Sequence, residues 1–344
     1  MAITRSQKIA GGIGTSIALL LMAAGLLYYL LTSPQYHPQQ TTYIYIDTDD
    51  VADSVYHKVA AAGHPTSLTG LKLLSTFRKY HQHIHTGRYA IRPKDNSLQL
   101  FNRLYRGHQT PVNLTIGSAR SLKATARQIG KQLMIDSAQV ASSLFDSTYQ
   151  QRLGLSVETL PCLIIPDTYQ VYWDISSKKL MERLCQEYQR FWSKRDSIAQ
   201  QIGFTRTEVC TIASIVDEET NYAPEKATVA GLYINRLHRG MLLQADPTVK
   251  FAWQDFSLRR ITTEHLLIDS PYNTYAHPGL PPGPIRIATT QAIDAVLHYQ
   301  RHPFLYMCAK EDFSGAHNFS ASYSEHLSNA RRYHQALNKH RIYK

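Results

Sequence analysis

The sequence predicts an α+β chain carried on one N-terminal membrane-spanning helix. Three observations lead there: an uncharged apolar run at residues 9–32, short strand patterns alternating with short helical ones over residues 43–135, and amphipathic helical periodicity from residue 136 onward.

The first element is IAGGIGTSIALLLMAAGLLYYLLT at residues 9–32. It has no charged side chain and, as a helix, spans roughly 36 Å, enough to cross a bilayer. A cleaved signal peptide has an apolar region of about 7–15 residues and a small-residue cleavage site. This run is longer and continues into SPQYHPQQ, so an uncleaved anchor is expected. Arg5 and Lys8 precede it, and no Lys or Arg follows until Lys58. That bias places the tail, residues 1–8, in the cytoplasm and nearly the whole chain outside it, a single-pass arrangement in the inner (plasma) membrane.

Residues 33–42, rich in Pro and Gln, read as a linker. TYIYID alternates as a strand, and DDVADSVYHKVAAAG and SLTGLKLLSTFRKY follow as helices. GRYAIRP is a second strand, NSLQLFNRLYRG a helix closed by Gly107, TPVNLTI a third strand, and SARSLKATARQIGKQL a helix starting near Ser118 or Ser121. Residues 43–135 therefore form a small α+β module. Residues 136–203 are mainly helical and read as a connector. Residues 204–344 form the third region.

The chain has 344 residues and is 43% hydrophobic, enough for packed cores in roughly two domains. Its formal charge of +11 suits an anionic partner such as lipid headgroups or a wall polymer bearing carboxylates. No zinc-finger, helix-turn-helix or RNP pattern is present, and the anchor removes the chain from the nucleoid, so nucleic acid is not an expected partner. Cys162, Cys185, Cys210 and Cys308 show neither CxxC nor metal-ligand spacing; buried free thiols are expected, with any of three disulfide pairings as the alternative for a chain outside the cytoplasm.

Chemistry concentrates between Thr211 and Gly283. TRTEVCTIASIVDEET opens with a capping box, Thr205 and Glu208, and sets Ile212, Ile215, Val216 and Glu219 on one helical face. Glu219 ends that apolar stripe near the helix C-terminus, where desolvation and the helix dipole both keep a carboxyl protonated. A protonated acid near neutral pH is what departure of a glycosidic oxygen requires. Asp217 and Glu218 turn away from the stripe and are expected in solvent. The competing structural role for Glu219 is a buried salt bridge to Arg236 or Arg239.

A second helix is expected from near Pro224 to Gly240, with Ala227, Ala230, Gly231, Ile234 and Leu237 inward. LQADPTV, SPYNTY and GLPPGPI are expected as loops converging on Glu219, their amides and tyrosines suited to sugar hydroxyls and ring faces. Asp246 is the nearest second carboxylate for a two-acid glycosidase. With one acid alone, the sugar's own 6-hydroxyl can serve as nucleophile.

SIVDEET, INRL with GMLLQADPTV, YNTY, GLPPGPI, GAHNFS and Glu325–His326 together resemble the endolytic murein transglycosylases, membrane-anchored enzymes that cut nascent peptidoglycan strands. The likeness is strong over residues 205–326. PDTY at 166–169 and GRY at 87–89 extend it weakly toward an N-terminal LysM-like glycan-binding module. The resemblance implies cleavage between N-acetylmuramic acid and N-acetylglucosamine that leaves 1,6-anhydro ends, terminates strand elongation and needs no cofactor or metal. It implies Glu219 as catalytic acid and base. Asn235, Gln244, Asp246, Thr248, Tyr272, Asn273, Thr274 and His317 are implied for substrate contact or for holding the cleft. Peptidoglycan synthases are implied as partners.

Departures from the family pattern are Asp217 for the usual first glutamate, Glu218 where a base is common, and LPCLII before PDTY. Glu218 is expected to raise the Glu219 pKa further. A non-catalytic glycan-binding scaffold is the alternative function. A metal-dependent class would rest on His81, His83 and His85, which in a strand would face one way, although no HExxH accompanies them.

Overall fold

The computed structural model describes residues 5–258 and 260–340, with side chains from Ile13 onward. Residues 1–4 of the expected cytoplasmic tail and the side chains of Arg5 and Lys8 lie outside the described residues. The chain divides into two compact units, Met1–Asn113 with Gln170–Ile175, and Leu114–Tyr169 with Ser176–Lys344.

The first unit begins with α1 (Arg5–Thr32), followed by β1 (Thr42–Ile46), α2 (Ala52–Gly63), α3 (Thr69–Phe77), β2 (Gly87–Ile91) and α4 (Ser97–Tyr105). Within α1, Ile13–Thr32 is long and apolar enough to cross a membrane. Strands β1 and β2 pair antiparallel from Thr42↔Ile91 to Ile46↔Gly87. Their period-2 alternation turns Ile44, Ile46, Tyr89 and Ile91 onto one core with Val55 and Val59 of α2, Leu71 of α3 and Leu100 and Leu104 of α4. Asn96 caps α4 by accepting from Gln99 N at 2.8 Å, while Gln99 returns a bond to Asn96 N.

Residues 33–42 are not a free linker. Tyr36 is fully buried, Gln35 N donates to Asp95 O at 3.0 Å, and Thr66 N donates to Gln35 O at 2.8 Å. Proline and glutamine favour extended chain, and here that chain is pinned as an edge of the unit. The histidines also differ from expectation. Tyr80–Gln82 is a 3₁₀ turn, and β2 starts only at Gly87, so His81, His83 and His85 do not share a strand face. No metal-ligand cluster occurs among the described residues.

Strand β3 (Val112–Ile116) pairs with β4 (Asp167–Val171), and the division between units falls inside both. The second unit contains α5 (Leu122–Gly130, capped by Ser121), α6 (Ser137–Leu144), α7 (Ser147–Leu153), α8 (Ser177–Ser193), α9 (Asp196–Gln201) and α10 (Arg206–Glu219). It continues with α11 (Lys226–His238), α12 (Asp246–Trp253), α13 (Thr290–Leu297), the hairpin β5 (Tyr306–Ala309) and β6 (His317–Ser320), and α14 (Tyr323–Lys339). Apart from 170–175, the stretch expected as a connector folds into the same unit as 204–344. Its long helical pattern breaks between α8 and α9, where Arg195 leaves helical geometry and pairs with Asp294 at 2.7 Å.

Helix α10 is the axis of this unit, packed against α11, α12 and α13. Every residue from Val209 to Asp217 is buried, so the helix is enclosed all round instead of along one stripe. Its capping box forms as expected, with Thr205 and Glu208 exchanging bonds.

Candidate active site

Glu219 is the last residue of α10, at the point where the buried axis reaches a cleft of about 220 Å³. Thr220 closes the helix in extended conformation with its N–H on Val216 O at 3.1 Å. The half-buried carboxyl of Glu219 faces Tyr233 and Arg236 of α11, Gln244 and Asp246 at the start of α12, Tyr275 and Met307. The Tyr233 hydroxyl donates to Glu219 Oε1 at 2.6 Å, and the Tyr275 hydroxyl donates to Asp246 Oδ1 at 2.5 Å.

Burial pushes the Glu219 carboxyl up to about 7. The Tyr233 bond opposes that rise, the Asp246 charge adds to it, and Lys250 and Arg236 oppose it. Burial also raises the Tyr233 and Tyr275 phenols, which therefore stay protonated as donors. The competing role, a salt bridge from Glu219 to Arg236 or Arg239, is not found among the described residues, and Arg236 is engaged elsewhere. Its guanidinium is held by the carbonyls of Leu305 at 2.7 Å and Leu243 at 2.7 Å, so it tensions the cleft wall while leaving Glu219 to a phenol.

The two acids before Glu219 are not in solvent. Asp217 is buried, ion-paired to Lys226 and bonded to Thr289 N at 2.6 Å and Thr289 Oγ1 at 2.9 Å. It joins α10 to the first turns of α11 and α13. Glu218 meets Arg286 at 2.9 Å and Arg120 at 3.3 Å. Successive helical residues turn by about 100°, which sends the three carboxylates to three separate partners. The charge that raises Glu219 is accordingly Asp246, not Glu218 as the sequence suggested.

Only part of LQADPTV is a loop, because Asp246 opens α12, with Pro247 next in its first turn. Asp246 thereby sits at the positive end of a helix dipole. Gln244, exposed and left-handed at φ 51°, makes the bend that admits both residues to the cleft. Thr274 fixes this bend to YNTY: its carbonyl accepts from Gln244 N at 3.0 Å and its hydroxyl from Ala245 N at 3.0 Å, with Thr248 Oγ1 at 2.9 Å. The fully buried Asn273 bonds the carbonyls of Leu266 at 2.8 Å and Ile268 at 3.0 Å. GLPPGPI is tied to α10 by Ile285 N on Ser214 Oγ at 3.0 Å, and a Cβ on Gly283 would stand 2.2 Å from Glu158 O.

Among the residues singled out from the sequence, Glu219, Gln244 and Asp246 meet in the cleft. Thr248, Asn273 and Thr274 are buried and hold its walls. Asn235 bonds the carbonyls of His302 at 2.7 Å and Phe304 at 3.1 Å, and His317 is held by Glu225 through N at 2.7 Å and Nδ1 at 3.0 Å. Tyr272 packs on Phe251 at 4.7 Å and lines a neighbouring groove of about 420 Å³ with Arg120 and Arg286. Tyr233 was missed: its helix gives no local sign that the phenol will meet a carboxylate fourteen residues earlier. Tyr275, by contrast, lies inside a motif already noted.

The fold and cleft define an α+β protein with a membrane-length N-terminal helix and a half-buried, phenol-bonded acid at the end of its central helix. Residues 44–332 match the YceG-like family, and the chain belongs to it. An endolytic murein transglycosylase of Bacillus subtilis (strain 168) is 27% identical over 241 residues, covering 66% of each chain. One from Streptococcus pneumoniae serotype 2 (strain D39) is 26% identical over 270 residues, covering 69% of this chain and 49% of that one. The matched stretch thus spans about half to two thirds of these relatives' length. A crystal structure of a yceG-like protein from Listeria monocytogenes shares the fold, with a TM-score of 0.57 and 22% identity over 84% of this chain and 99% of that one.

Proposed function

We propose that this chain is an endolytic peptidoglycan lytic transglycosylase, anchored by α1 with its N-terminus in the cytoplasm, and that Glu219 is its catalytic acid and base. The observation that carries the reading is the Glu219 carboxyl at the end of the buried α10, bonded to Tyr233 and open to a cleft, where burial pushes it up to about 7. Such a group is populated in both protonation states near neutral pH and can serve in both halves of one reaction.

With Oε1 held by Tyr233, Oε2 carries the proton. Glu219 gives it to the glycosidic oxygen as the bond to the muramyl anomeric carbon breaks, and N-acetylglucosamine leaves with a free 4-hydroxyl. The carboxylate so formed takes the proton of the muramyl 6-hydroxyl as that oxygen bonds the anomeric carbon. The anhydro ring closes, Glu219 is protonated again, and no water is consumed. Asp246 lines the same cleft, and its proposed role is to stabilise the positive anomeric centre by its charge. Residues 43–135 are the proposed LysM-like glycan-holding module, of which 43–113 fold in the first unit and 114–135 in the second; strands fresh from peptidoglycan synthases are the proposed substrate, so that cutting ends elongation.

Asp246 in the same cleft favours a second reading, hydrolysis with two carboxylates. Digestion of purified sacculi followed by mass spectrometry of the released ends tests both. Anhydromuramyl ends support the proposal and reducing ends favour hydrolysis, whereas absence of new ends favours a binding scaffold.

A further inference from the structure

The end of α1 is fixed to its unit. A Cβ on Gly70 would stand 2.3 Å from the Leu30 carbonyl oxygen, and Asn96 Nδ2 donates to Thr32 O at 3.2 Å. Helix α1 packs here against both α3 and α4. With α1 across a bilayer, Tyr28 and Tyr29 lie at its outer interface, where aromatic rings with a polar edge are favoured. The last turn of α1, and with it Gly70 and Asn96, then stands at headgroup level.

On α3, Leu73 and Phe77 follow Gly70 by three and seven residues and share its face. They are 46% and 84% exposed, and Phe77 is the most exposed large hydrophobic side chain among the described residues. Leu98, two residues beyond Asn96 on α4, is 39% exposed. Arg78 and Lys79 come directly after Phe77. We propose that Leu73, Phe77 and Leu98 seat the first unit in the interfacial layer of the bilayer that α1 spans, with Arg78 and Lys79 at the level of the lipid phosphates. Continuity argues for lipid as the occupant: the apolar face begins at the residue that touches the anchor, and the joint leaves little freedom to lift it from the surface. Apolar side chains in that layer leave water, and neighbouring cations keep their heads in it.

The inference rests on α1 being inserted, and one experiment separates the two. The full chain with Cys308→Ser is reconstituted in phospholipid vesicles and carries a nitroxide at Phe77→Cys, Leu98→Cys, Val51→Cys or Leu20→Cys. Collision with oxygen, which partitions into lipid, is compared with collision with a water-soluble nickel chelate. The expected result is a nickel-to-oxygen ratio several-fold lower at positions 77 and 98 than at 51, a residue 61% exposed in the same unit. Ratios at 77 and 98 equal to that at 51, with 20 oxygen-accessible, overturn the seating and leave the anchor standing. Nickel access at 20 as well overturns both. Protection of 77 from both reagents means a protein contact and also overturns the seating.

Discussion

Tyr233 and Glu219, fourteen residues apart on different helices, share a 2.6 Å hydrogen bond that holds one carboxyl oxygen and leaves the other facing the cleft. The bond stabilises the carboxylate and so pulls down a pKa that burial has raised. The acid is thereby poised instead of locked in its neutral form.

Tyr233→Phe removes that pull. The Glu219 pKa should rise, by about one pH unit for a bond worth about 1.4 kcal/mol. The alkaline limb of kcat/KM, expected near pH 7 in the parent protein, should move upward by the same amount.

Asp246→Asn should act in the opposite direction. Its charge raises the Glu219 pKa, so neutralising it lowers that pKa and moves the alkaline limb down. The rate at the optimum also falls if Asp246 faces the anomeric centre. Matching shifts of the same sign in the two variants would contradict the assignment of Glu219 as the titrating group.

Glu219→Gln keeps shape but cannot transfer a proton, and turnover on sacculi should fall by about 10²–10⁴-fold. The same variant should be more stable than the parent in alkali. A carboxyl raised from 4.5 to about 7 by folding favours the folded state fully below pH 4.5 and loses that contribution as pH rises through 7. Partial exposure limits the effect to about 1–2 kcal/mol. Urea unfolding of both proteins at pH 4 and pH 8 reads it: the curves should coincide at the lower pH and separate at the higher.

Asp217→Asn leaves the buried Lys226 ammonium without its counter-charge and weakens the tie to Thr289, and should cost about 3–5 kcal/mol. Glu218→Gln releases Arg286 and Arg120 in a more hydrated setting and should cost about 1 kcal/mol or less. Thermal unfolding ranks them. Equal losses would contradict the burial difference.

Gly283→Ala drives a methyl group into the Glu158 carbonyl, 2.2 Å away, and moves GLPPGPI off Ser214. A loss of about 1–3 kcal/mol in stability, with a fall in kcat, is expected. Gly279→Ala meets no atom within 4 Å but forces a non-glycine residue to φ 83°, so it should cost about 1 kcal/mol or more through the backbone and not through a clash.

By itself the sequence determined several features that depend on neighbours along the chain. The uncharged run of α1, the capping box of Thr205 and Glu208, the end of α10 at Glu219 and the strand alternation of β1 and β2 are local, because periodicity and caps act over a few residues. It also picked Glu219, although partly for an incomplete reason, since α10 is buried on all sides and not along a stripe. Only the tertiary structure decided what holds the two acids before Glu219. Helical rotation separates them, but Lys226, Thr289, Arg286 and Arg120 arrive from distant segments to claim Asp217 and Glu218. The same holds for Tyr233, for Thr274 pinning the bend at Gln244, and for Tyr36 turning a proline-rich tether into part of a core. A hydrogen bond or a burial is a property of two surfaces brought together, and the second surface is not written beside the first.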